Sequence, residues 1–206
     1  GCFFHFCQAV YRKIKSLPEV YALHENPSNL DNSLEIRQIT ALAFVPSQEI
    51  IDSFSVLVSS EFFARNEASI LPLIDYFEGI RIGRSIGGSS RRRAPIFPIS
   101  VWNCYYVALE GLPRTNNSIE GWPRAFQSLI SAHHPTIWTC IDGFKKDYSI
   151  GEIKIEQFAA GIPGSPTKKI YKDTAERIRN IVADYDNRDI LVYLRGIAHN
   201  FKLQAV

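Results

Sequence analysis

Methionine is missing from all 206 residues, cysteine is scarce, and no stretch approaches the roughly 18 apolar residues of a membrane span. The last absence argues against a membrane partner. The four cysteines, Cys2, Cys7, Cys104 and Cys140, form no CxxC pair and no dense spacing. That speaks against a disulfide scaffold and for a reducing compartment. Neither sign of charge dominates: the formal net charge is +2, so any case for nucleic-acid binding must rest on local clustering. Gly1-Cys2 does not open an N-acylation signal, because His5 stands where that motif wants Ser or Thr. The lack of methionine, with an opening "GCFFHFCQAVYRKIKSL" already in mid-pattern, leads us to expect a fragment whose true N-terminus lies upstream.

What is present reads as an ordinary globular chain, 46% hydrophobic and 21% charged, with enough length for one substantial core or parts of two. Its 12% aromatic content suits a well-filled interior. Residues 2–17 place Phe3, Phe6, Cys7, Val10, Ile14 and Leu17 on one helical stripe closed by Pro18. Cys2, His5, Arg12 and Ser16 form a ridge on the other side. Turn residues at 24–32 precede expected helices at about 32–44, 47–60 and 66–78. "RIGRSIGGSSRRRAPIFP" (81–98) is dense in Gly, Ser and Arg and reads as a loop. Helix should resume over 102–109, after Asn117, and at about 135–148, 169–184 and 187–200, with a second loop near "AAGIPGSPTKK". No internal repeat and few strand signals appear. The fold class is mostly α.

Three motifs carry candidate chemistry. "CFFH" pairs Cys2 with His5, but a zinc site needs a second pair at finger spacing, and only His133, His134 and Cys140 offer themselves. No zinc is expected, and the competing reading is a hydrogen-bonded histidine at a helix start. Arg81, Arg84, Arg91, Arg92 and Arg93 cluster with no acid among them. Arginine forks suit phosphate oxygens and neighbouring glycines let the backbone approach a polyanion, although a solvated loop or a nuclear localisation patch would read the same. "PRTNNSIEGW" (113–122) sets Asn117 three residues before Glu120 ahead of an apolar run, the pattern of a reciprocal helix cap. A lone carboxylate presented there could also be one metal ligand. On a helical wheel Glu120 shares a polar side with Arg124 and Gln127, away from the Trp122–Phe126 stripe.

Taken in order, "GCFFHFCQAVYRKI", "ALAFVP", "YFEGIRIG", "PIFPISVWNCY", "PRTNNSIEGW", "HPTIW" and "YLRGIAHN" resemble the C-terminal part of Mutator-like element transposases over nearly the whole chain. The resemblance implies a ribonuclease H-like DDE enzyme, in which two aspartates and a later glutamate hold magnesium or manganese for DNA cleavage and strand transfer. By that resemblance Cys2 and His5 match the family's CxxH signature, and Thr115, Asn116, Asn117 and Glu120 match its Thr-Asn-Asn-x-x-Glu segment. Glu120 is then both cap and third, catalytic carboxylate. Cys2, His5, Thr115, Asn116 and Asn117 would support that active site, and Arg81, Arg84, Arg91, Arg92, Arg93 and Arg124 would meet DNA.

The implied parts are a CxxH helix at the edge of the catalytic core (1–17), a helical insertion with the Arg-rich loop (18–112), the Glu-bearing segment (113–148) and C-terminal helices (149–206). Most of the catalytic sheet would lie outside this chain. Two departures stand out. The two aspartates are expected upstream of Gly1, so this chain cannot assemble the triad, and Pro123 follows Gly121-Trp122 where relatives often carry histidine. DNA is the expected partner and the nucleus the expected location. A second copy of the chain is an optional partner, and neither a membrane nor a small-molecule substrate is expected. The alternative is a non-catalytic, transposase-derived helical module that binds DNA or protein.

Overall fold

Helix start and stop signals account for most of the architecture. The computed structural model describes residues 1–87, 91–115, 117–132, 134–162 and 169–203, without the side chains of 117–120. It is mostly helical, and no strand occurs among the described residues. Asn116 and His133 lie outside them, as do the side chains of Asn117 and Glu120. Two compact units divide the chain: residues 1–115 with 173–206, and residues 116–172. Within the first unit, α1 (Phe3–Lys15) shares one core with the helices of 18–112.

In the first unit α1 buries Phe3, Phe6, Cys7, Val10, Tyr11 and Ile14, the expected stripe with Tyr11 in place of Leu17. Pro18 does more than stop this helix. It occupies the first position of α2 (Pro18–His24), where its missing N–H has no partner to lose. Helices α3 (Leu30–Ala41), α4 (Ile50–Val58), α5 (Glu61–Arg65) and α6 (Glu67–Phe77) follow. A π turn (Glu78–Ile82) then extends α6, closed by the Gly83 N–H on the Glu78 carbonyl at 2.6 Å. Short helices α7 (Ile99–Trp102) and α8 (Tyr105–Leu109) complete this stretch.

The chain returns through α11 (Lys169–Ala183) and α12 (Ile190–Ala198), and α12 packs along α3. That pairing is locked by charge and by shape. Arg195 reaches Asp31 at 2.9 Å and also pairs with Glu35, while Arg37 donates to the Phe201 carbonyl at 2.6 Å. Tyr193, fully buried, donates its hydroxyl to the Phe44 carbonyl. Trp102 lies flat on Phe6 with ring centres 5.2 Å apart, and Phe77 meets it edge-on.

The second unit is a helical hairpin of α9 (Asn117–Ile130) and α10 (Ile137–Ala159). Trp122, Phe126 and Phe144 stack at 4.9 and 4.5 Å, and the Trp122 indole donates to Asp147 at 2.9 Å. Pro123 lies inside α9. Thr136 caps α10, its hydroxyl accepting from the Thr139 N–H. This helix continues eleven residues past the expected end at 148. No helix among the described residues is long and apolar enough to cross a membrane.

Candidate functional site

Two regions of the first unit bear on the motifs. At the first, Cys2 occupies the N-cap of α1 and the Phe3 N–H donates to the Arg114 carbonyl at 2.9 Å. The start of the CxxH helix is thereby tied to the segment that runs into Thr115. Arg114 in turn lays its guanidinium over the Phe44 ring, 5.5 Å from its centre, and burial lowers its pKa. Beneath this contact are Cys7 and Cys104, whose thiols are pushed up by burial, that of Cys104 to about 11. They stay protonated at neutral pH, whereas a thiolate is what binds metal or attacks. None of the four cysteines is in a disulfide.

His5 is exposed, with its ring edge-on to Phe4 at 5.5 Å. Thr115 is half-buried. Among the described residues no three His, Cys, Asp or Glu side chains converge as metal ligands, and the Glu120 side chain is outside them.

The second region is the Arg-rich segment, whose five clustered arginines do not share one environment. Arg81 lies on the π turn and is 7% exposed, its guanidinium between the rings of Phe6 (5.1 Å) and Phe97 (4.6 Å). Burial lowers its pKa, partly offset by a hydrogen bond with Tyr76. Arg92 is half-buried and donates to Glu78 at 2.7 Å and to the Gly83 carbonyl at 2.6 Å. Both are structural cations. The acid that neutralises Arg92 stands fourteen residues earlier, outside the window in which the run looked acid-free.

Arg84, Arg91 and Arg93 are exposed. They are presented by a short antiparallel pairing rather than an unstructured loop: Ser85 bridges Arg92, the Arg93 N–H donates to the Arg84 carbonyl and the Ile86 N–H to the Arg91 carbonyl, each at 2.9 Å. Arg84 and Arg93 border an open cleft of about 620 Å³ that also takes in Lys13, Tyr76 and Asp75. The Lys13 ammonium stands 5.5 Å from the centre of the Tyr76 ring. Sequence reasoning missed Lys13 and Tyr76 here; the polar flank of α1 was the one signal that could have suggested Lys13. In the second unit Arg124 is exposed and lines a shallow pocket with Gln127 and Ser128, two of these residues being the polar neighbours expected for Glu120.

No family model, curated protein or solved structure matches this chain. Its functional reading rests on its own residues.

What those residues can do is limited and definite. Two exposed guanidiniums and an ammonium around an open cleft form a cationic rim. Such a rim attracts phosphates through long-range charge and fork-shaped hydrogen bonds, without reading bases.

Proposed function

We propose that this chain is part of a Mutator-like element transposase, or of a host protein derived from one, and that it handles DNA in the nucleus. The ordered motifs supply the family reading, including the ribonuclease H-like origin of the CxxH and Thr-Asn-Asn-x-x-Glu segments. The observation that carries the DNA reading is the rim of Arg84, Arg93 and Lys13 around one cleft, with Arg91 exposed on the same short antiparallel pairing. Arg81 and Arg92 support that rim from below and do not themselves meet phosphate.

Binding to a short fluorescent duplex, followed by anisotropy as salt is raised, tests this reading. The chain should bind with little sequence preference. Replacing Arg84, Arg91 and Arg93 together by alanine should lower the log–log salt slope by roughly 2–3, since each lost phosphate contact removes about 0.9. An unchanged slope, or no binding at low salt, would return the segment to an ordinary solvated surface.

In the intact enzyme of this reading, Glu120 would be one of three carboxylates holding magnesium or manganese. One carboxylate cannot position two metal ions for in-line attack on a phosphodiester. Residues 1–206 alone should therefore leave supercoiled plasmid intact with either metal. Metal-dependent nicking that disappears in Glu120→Gln would show that this chain completes its own active site.

The exposed apolar stripe of α10 favours a second reading, an interaction module. That stripe has a definite pattern.

A further inference from the structure

Helix α10 leaves apolar side chains uncovered at coiled-coil spacing. Ile141, Phe144, Tyr148, Gly151, Ile155 and Phe158 recur at alternating steps of three and four along one stripe. Tyr148 is 68% exposed, Ile155 71% and Phe158 81%. Among these ring and aliphatic side chains Phe144 touches helix α9, one of its faces stacking on Phe126 at 4.5 Å while the residue stays 53% exposed. The rest of α9 lies against a neighbouring side, where a β-carbon on Gly143 would come within 2.8 Å of Ile130 and where Asp147 accepts from Trp122.

We propose that α10 pairs antiparallel with α10 of a second copy of this chain. The stripe sets the register: Ile141 faces the copy's Phe158, Phe144 its Ile155, and Tyr148 its Gly151, each contact occurring twice by symmetry. Gly151 is the telling position. A glycine inside a helix costs about 1 kcal/mol relative to alanine, and a β-carbon placed there would meet nothing within 4 Å. The gap it leaves opposite Tyr148 receives that ring.

Charge selects both the partner and its direction. The residues flanking the stripe are Lys145 and Glu152 on one side and Asp147 and Lys154 on the other. In an antiparallel pair, same-side positions meet across the seam. In the register fixed by the apolar residues, Lys145 then meets the copy's Glu152, and Asp147 meets its Lys154. A parallel pair would instead set Asp147 against the copy's Glu152, two like charges. A single helix that carries both halves of each ion pair in this order is complementary to itself. This pairing involves the second unit alone and is independent of DNA binding.

Sedimentation velocity on the full chain, at tens of micromolar in low salt, tests the proposal. The chain should be a dimer. Lys145→Glu and Glu152→Lys singly should each weaken association on the order of tenfold, because each replaces two attractive pairs by repulsive ones. The double variant should restore association, since the swapped charges again meet as opposites. All four side chains are on the surface or half-buried, so circular dichroism should match the parent. A monomer at every concentration overturns the proposal, and so does a dimer indifferent to the single swaps. A double variant as weak as its singles overturns the register. DNA binding with a monomeric chain would separate this failure from that of the cationic rim.

Discussion

Arg81→Ala should destabilise the protein by about 2–3 kcal/mol while leaving the DNA affinity of the folded chain nearly unchanged. The guanidinium sits between the Phe6 and Phe97 rings and is hydrogen-bonded to Tyr76, so truncation removes two stacked contacts and leaves a hole beside Trp102's partner ring. Charge is not the main stabilising element there. Its Nε is buried without an acceptor among the described residues, and burying a cation opposes folding. Arg81→Met, which keeps the volume and drops the charge, should accordingly cost much less than Arg81→Ala. Urea unfolding of both variants decides the matter. If Arg81→Ala instead weakens DNA binding at unchanged stability, the residue belongs to the phosphate-contacting set. Arg84→Ala should do the reverse, with stability within about 0.5 kcal/mol of the parent.

Gly83→Ala should be at least as damaging, about 3 kcal/mol or more, with a fall in Tm of roughly 6–10 °C. Gly83 has φ +91°, a region that L side chains rarely adopt. A β-carbon there would stand 2.0 Å from the Arg93 carbonyl oxygen, a backbone atom that cannot swing aside. The same residue closes the π turn through its N–H and accepts from Arg92 through its carbonyl. Displacing it disturbs the pairing that holds Arg84 and Arg93 beside the cleft, so DNA binding should weaken along with stability. Thermal melts and anisotropy on one preparation would test both effects. A Tm within about 2 °C of the parent would contradict the assigned strain.

These two residues mark where sequence reasoning reached its range. The apolar stripe of α1 was legible because helical periodicity and burial are the same physical fact, and the structure buries five of its six expected residues. Helix α10 runs on past the expected end at 148, where Gly151 weakens the helical pattern without breaking the helix. Gly143 lets α9 approach, and Gly151 leaves a gap on the exposed stripe. The environments of the arginines are likewise set by residues distant in sequence. Arg81 looks like its neighbours until Phe6, seventy-five positions earlier, closes over it, and Arg92 looks unpaired until the π turn delivers Glu78. The CxxH motif was placed correctly at a helix start, but its link to the 113–115 segment is a backbone hydrogen bond, which no side-chain pattern encodes.

The first unit is discontinuous, and that has a consequence for the order of synthesis. Its core is closed by α12, which packs on α3 and carries Tyr193 to the Phe44 carbonyl, yet residues 116–172 are made in between. A nascent chain that has emerged only as far as Thr115 still lacks the side chains that cover Phe44 and the apolar face of α3. Closing a loop of that length costs only about 0.6 kcal/mol more per doubling, so the penalty is one of time rather than of stability. The helical hairpin can form from its own contacts meanwhile, and the larger unit must wait until α12 has left the ribosome.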